Sequence, residues 1–164
     1  DRIDSSAVME KDFLPHDFKK HQLFDGDILL NGGQSPELLG RPAIFRGEVA
    51  GACFTNTLIR FRPFPPIGAE FSLLVFRAYM RSGRFRKEGT ITTSIAHLSA
   101  SRFGEIEFPS PPISEQREIV QKTGWSLSLI ERQAGIVDES IQCGLVLRGA
   151  ILGAAFSNNL VLSG

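Results

Sequence analysis

The sequence predicts an α+β chain: a small head built on a mixed sheet, then a long C-terminal helix that pairs with a second helix in a coiled coil. Three observations predict it. Short apolar runs broken by glycine and proline fill residues 1–108. Pro109, Pro111 and Pro112 then exclude helix and central strand alike, because each lacks an amide N–H and has its φ fixed. Beyond them Ile119, Thr123, Leu127, Ile130, Ala134, Val137, Ile141, Leu145, Arg148 and Leu152 recur by threes and fours, the spacing of one helix face. The expected division is a head over 1–108, a stiff neck over 109–113 and a helical arm over 114–164.

Taken in order, residues 1–22 are polar and mixed, a loop-rich lead-in with Pro15-His16-Asp17 as a turn signal. Asp25-Gly26-Asp27 turns the chain into a short buried strand, Ile28-Leu29-Leu30. Asn31-Gly32-Gly33-Gln34-Ser35-Pro36 reads as a loop, and Arg41-Pro42-Ala43-Ile44-Phe45 as a strand whose early proline suits a sheet edge. Ala52 to Arg62 is the clearest strand, with one core face and one basic face, ended by Pro63, Pro65 and Pro66. Glu70 to Met80 has helical spacing, with Phe71, Leu74, Val75 and Tyr79 on one face and a stop near Ser82-Gly83. Arg84-Phe85-Arg86-Lys87 is a loop in this reading, Thr90 to Ile95 a strand, Leu98 to Gly104 a single helical turn, and Ile106 with Phe108 a last strand.

Ser114 offers an N-cap oxygen to the arm, while Glu115 and Glu118 place negative charge at the positive end of the helix dipole. Arg117 stands where a Glu or Gln would complete a capping box. Such a helix, about 35 residues at 1.5 Å each, reaches about 50 Å and needs a partner for its apolar stripe. Gly124, Gly135, Gly144, Gly149 and Gly153 oppose it, each costing up to about 1 kcal/mol. They mark either close approaches and bends or a broken helix. Ser157-Asn158-Asn159 is the expected end.

The 164 residues, 42% hydrophobic and 22% charged, fit one modest domain with an appendage. No apolar run is expected to approach a membrane span, and no signal segment opens the sequence, so a cytoplasmic location is expected. Cys53 and Cys143 are then expected reduced. The net charge of zero argues against a nucleic-acid partner, but the distribution is uneven. Residues 58–103 carry net +6 and the flanks together −6. Arg60, Arg62, Arg77, Arg81, Arg84, Arg86, Lys87 and Arg102 make that excess. Arginine suits bidentate contacts with phosphate and guanine. A solvated basic face is the plain alternative.

Thr93-Ser94-Ile95-Ala96-His97-Leu98-Ser99, running on through Phe108-Pro109-Ser110-Pro111-Pro112-Ile113-Ser114-Glu115-Gln116-Arg117-Glu118-Ile119-Val120, resembles the specificity subunit of type I restriction–modification enzymes. There a target recognition domain ends in a proline-rich Glu-Gln signature and runs into a conserved helix. Gly26-Asp27-Ile28-Leu29-Leu30 resembles that family's Gly-Asp-Ile-Leu strand, and the stretch from Leu147 to Val161 its C-terminal ending. The three lie in the family's order. The resemblance implies DNA recognition without catalysis. It implies double-stranded DNA, modification (methyltransferase) and restriction subunits, and a second helical region or a homodimer mate as partners. A full specificity subunit has two recognition domains and two helical regions, so this chain corresponds to a fragment, a truncated product or a half-subunit.

For reading bases, Asn31, Gln34, Ser35 and Arg41 are the candidates, because amides pair bidentately with adenine and the neighbouring glycines let the backbone come close. Thr90 to Ser94 is the alternative reading stretch, with Thr92 and Thr93 as its candidates. Arg60, Arg62, Arg84, Arg86 and Lys87 are candidates for phosphates. A plain hairpin loop is the bland reading of Asn31 to Gln34. Ile119, Leu127, Ile130, Ala134, Val137, Ile141, Leu145 and Leu152 are the helix-pairing set.

No phosphate-binding glycine loop, S-adenosylmethionine motif or nucleophile elbow is present in the sequence. His16, His21 and His97 lack partners at metal spacing, so no metal or cofactor is expected. His97 reads as a helix cap or a buried hydrogen-bonding group. Asp25 and Asp27 read as turn residues rather than an acid–base pair. A protein–protein adaptor and a degenerate remnant whose helix only oligomerises are the rival readings.

Overall fold

The computed structural model describes residue 3, residues 8–92 and residues 95–156. Thr93, Ser94 and the expected helix end at Ser157-Asn158-Asn159 lie outside them. The chain divides into two units, Asp1–Val120 and Gln121–Gly164.

The first unit is α+β, and every described ladder is antiparallel, where a mixed sheet was expected. Strand β1 (Ile28–Asn31) is central in a three-stranded sheet between β3 (Pro42–Ile44) and β4 (Leu58–Phe61). Pro42 pairs with Leu30 on the edge strand, where a missing amide is tolerated. The clear strand expected from Ala52 is shorter, because 52–57 pairs only through an isolated bridge from Cys53 to Gln22. A second sheet has the order β2 (Gly33–Gln34), β6 (Ala96–His97), β5 (Thr90–Ile91).

Helix α2 (Ala69–Arg81) covers the core with Phe71, Ser72, Leu73, Val75 and Phe76. Of the predicted face Phe71 and Val75 are buried, while Leu74 and Tyr79 are half-buried and Phe76 sits at the centre. Phe76 packs against Phe61, Phe85, Phe103 and Phe108 at centroid distances of 5.0–6.3 Å. Ile28, Leu30, Leu39, Ile44, Ile59 and Leu98 complete that core, and Leu23, Leu29 and Phe45 form a smaller one.

Four local expectations are corrected. Pro15 opens helix α1 (Pro15–His21) rather than a turn, since its fixed φ suits the first helical turn. Arg84 to Lys87 is helical, within α3 (Arg84–Glu88), because Gly83 takes φ +73° and restarts a helix immediately after α2. His97 is in a strand, and Ser99 caps α4 (Ala100–Gly104) by accepting from the Arg102 amide at 3.2 Å. Ile106 and Phe108 form no strand; both are half-buried against the aromatic core.

Helix α5 (Ile113–Phe156) begins one residue before Ser114, so Ser114 lies inside the first turn and is not the N-cap. Buried Gln116 does the reaching back instead. Its Nε2 donates to Pro111 O at 2.8 Å and to Pro66 O at 3.2 Å, and its Oε1 accepts from Gly68 N at 2.9 Å. The first turns of α5 are thereby part of the head unit, joined to the N-cap residue of α2.

In the second unit α5 runs unbroken through all five glycines, none of which has a neighbour within 4 Å of its would-be Cβ. α5 also contains an 18-residue stretch long and apolar enough to cross a membrane. This corrects the expectation that no run approaches a span: over 139–156 only Glu139 and Arg148 are charged. Length and composition alone suit a helix partner equally well.

Candidate nucleic-acid interface

Gly32 is the joint that brings the candidate residues together. It ends β1 and opens β2, and its amide donates to Thr57 O at 2.9 Å while its carbonyl accepts from Leu98 N at 2.8 Å. A Cβ there would lie 3.2 Å from Thr57 O and 3.3 Å from Leu98 O, so a side chain would crowd both carbonyls. The loop from Asn31 to Arg41 then folds back, with Gly40 N donating to Asn31 O at 2.9 Å and Asn31 N to Arg41 O at 3.3 Å. β2 pairs Gln34 with Ala96, and β5 pairs Ile91 with the same Ala96. Gln34 and the strand that leads into Thr92 therefore belong to one sheet, with Thr92 in the turn after it.

The basic helix α3 abuts that sheet. Gly40 has φ +71°, and the Phe85 ring of α3 lies 2.1 Å from the position of a Cβ on residue 40. Gly89, which links α3 to β5, similarly meets Leu39 at 2.8 Å and His97 O at 3.1 Å. Loop, sheet and α3 are thus one packed block.

Within it Gln34, Arg41, Arg86 and Lys87 are exposed, and Asn31 and Ser35 half-exposed. Their side chains hold no hydrogen bond or ion pair among the described residues. Thr92 is occupied: its amide and its Oγ1 both donate to Ile95 O at 2.9 Å, closing the β5–β6 turn.

The arginines of the basic segment divide into two kinds. Arg60 Nη1 donates to Lys20 O and Gln22 O, at 3.1 and 2.9 Å, and its guanidinium lies 4.9 Å from the Phe54 ring. Arg62 holds buried Asp27 through two bonds of 2.7 Å and lies over Phe24. The hydrogen bond to Asp27 raises the Arg62 pKa beyond its usual value. Both arginines face carbonyls at the C-terminal end of α1, where a cation is favourable. Arg84 lies over Tyr79 and 3.5 Å from Glu107, and Arg102 Nη1 donates to Glu88 O. These four brace the head. The predicted basic face of β4 exists, with Arg60 and Arg62 opposite Ile59 and Phe61, but it is folded onto α1.

Every residue of the helix-pairing set, Ile119, Leu127, Ile130, Ala134, Val137, Ile141, Leu145 and Leu152, is exposed on α5. Sequence reasoning read His97 as a helix cap or a buried hydrogen-bonding group, whereas it is exposed on β6. It missed Gln116; a lone amide one turn beyond unpaired proline carbonyls was the available signal.

No family model matches the chain. Over 133 residues it is 23% identical to a protein of Methanocaldococcus jannaschii named "Putative type I restriction enzyme MjaX specificity subunit". That match covers 80% of this chain and 30% of the archaeal protein, so the chain spans under a third of the relative's length.

Proposed function

We propose that this chain recognises DNA sequence as a specificity subunit, or half of one, in a type I restriction–modification complex, and that it is not itself catalytic. The observation that carries this reading is the single block formed by the 31–41 loop, the β2-β6-β5 sheet and α3, which sets uncommitted amides beside uncommitted cations. The named archaeal relative supports it. Gln34 and Asn31 read base edges, while Arg41, Arg86 and Lys87 hold phosphates and fix register. The exposed stripe of α5 takes a second helix, from another copy or from the second helical region of a longer subunit. Modification and restriction subunits would supply the chemistry, in the cytoplasm.

The test is retention of the purified chain on duplex DNA across a salt gradient, followed by binding-site selection. About three phosphate contacts give a slope of roughly −3 for log K against log salt. Gln34→Ala should then lose preference at one base position and keep that slope. A chain that ignores DNA at low salt yet still assembles through α5 would be an adaptor or a remnant.

A further inference from the structure

His97 occupies the middle strand of the small sheet. Across the three strands Gly33, His97 and Thr90 stand in one row, and Gln34, Ala96 and Ile91 in the next. Ala96 and Leu98 are buried, so side chains of that parity point inward. His97 points outward and is exposed. Its ring lies over Gly33: a Cβ on residue 33 would be 2.8 Å from Cε1 and 3.3 Å from Nδ1 and Nε2. Gly33 has no positive φ, so glycine serves here to make room rather than to turn the chain. The result is an imidazole seated on the backbone of β2. It has no hydrogen bond or ion pair among the described residues.

We propose that His97 is the central base-contacting residue of this surface, with Gly33 as the seat that positions it. The inference rests on the reading that the sheet faces DNA. An imidazole N–H is a directional donor, and the major-groove edge of a purine presents N7, joined by O6 in guanine, as acceptors. Thymine presents the acceptor O4 and cytosine a donor, so a His97 N–H turned to the groove disfavours cytosine at one position. A two- or three-stranded ribbon has the width to enter the major groove, and the middle strand places His97 deepest. Gln34, one row on, has the parity of Ala96 and leaves the sheet by the other face, so the contact made by His97 does not depend on it.

Binding-site selection at fixed salt, with wild type, His97→Ala, His97→Gln, Gly33→Ala and the double Gly33→Ala/His97→Ala, tests this on the full chain. His97→Ala should lose about tenfold of the discrimination against cytosine at one position, with the salt slope unchanged. Gly33→Ala, which displaces the ring without removing it, should lose preference at that same position. The double variant should read DNA no worse than either single one. His97→Gln, with a donor of different reach, should retain part of the preference or move it. A His97→Ala variant that selects the wild-type sequence, or that loses salt slope instead of base preference, overturns the role of His97 and leaves the DNA reading intact. Wild type that shows no retention on DNA overturns both.

Discussion

The Phe85 ring fills the space into which any side chain on residue 40 would have to extend, its Cδ2 standing 2.1 Å from that Cβ position. This contact ties the 31–41 loop to α3, and it makes Gly40 the most constrained position of the candidate interface. Gly40→Ala has both a left-handed backbone and an overpacked core against it. It should destabilise the head by about 2–4 kcal/mol in denaturant titration. Phe85→Ala should cost about 3–5 kcal/mol. In the double variant the ring is gone, so the two costs should fall short of additive by about 1 kcal/mol or more.

Gln116 satisfies three backbone groups at once: Gly68 N, Pro66 O and Pro111 O. Gln116→Leu keeps the bulk and strands all three. A loss of about 2–4 kcal/mol is expected from the orphaned groups. Gln116→Glu should be similarly damaging at neutral pH, because a carboxylate would face two carbonyl oxygens. Thermal unfolding followed at the head, with α5 helicity monitored separately, measures both; a change under 0.5 kcal/mol would refute the account.

Arg62 and Arg86 should separate stability from binding. Asp27 is 1% exposed and depends on Arg62, whose side chain is 43% exposed. Arg62→Ala leaves a buried carboxylate with, among the described residues, the Phe24 amide alone, and should cost about 2–3 kcal/mol after allowing for solvent on the arginine side. The salt slope of DNA binding, measured below the unfolding temperature, should not change. Arg86→Ala with Lys87→Ala should do the opposite, flattening the slope by about 2 and leaving stability within about 0.5 kcal/mol.

Assembly should run through α5. Ile130 is 59% exposed in the middle of the stripe. Ile130→Asp places a charge where a partner helix must pack, and sedimentation should show the wild-type assembly replaced by monomer. A wild-type chain that sediments as a monomer at every concentration tested would remove the pairing.

The two thiols should differ in reactivity. Cys143 is exposed on α5, whereas burial raises the Cys53 pKa above its ordinary value. The thiolate is the reactive form, so at pH 8 Cys143 should alkylate first. Raising the pH should narrow the gap, as Cys53 titrates later. Timed alkylation read by mass spectrometry gives both rates.

Much of the frame was legible in the sequence. The strand at Ile28, the edge strand opened by Pro42, the stop of α2 at Ser82-Gly83 and the long terminal helix all follow from local pattern. Non-local pairing was not legible. The two residues of β2 look like loop until β6, some sixty residues later, supplies partners. Arg60 and Arg62 look like free cations until the fold brings up Asp27 and the end of α1. The residues of the candidate surface were mostly visible as types, and the packing of their loop, strand and helix into one block was not.

The stripe on α5 has a further consequence. From Ile119 to Leu152 it takes nine steps over 33 residues, about 3.7 residues per step. A straight α-helix has 3.6 residues per turn, so the stripe runs nearly parallel to the axis and drifts slightly with a right-handed sense. A matched partner would lie along α5 almost uncrossed, without the left-handed winding that a strict seven-residue repeat imposes. Two such rods would keep their ends in nearly fixed rotational phase along the whole stripe.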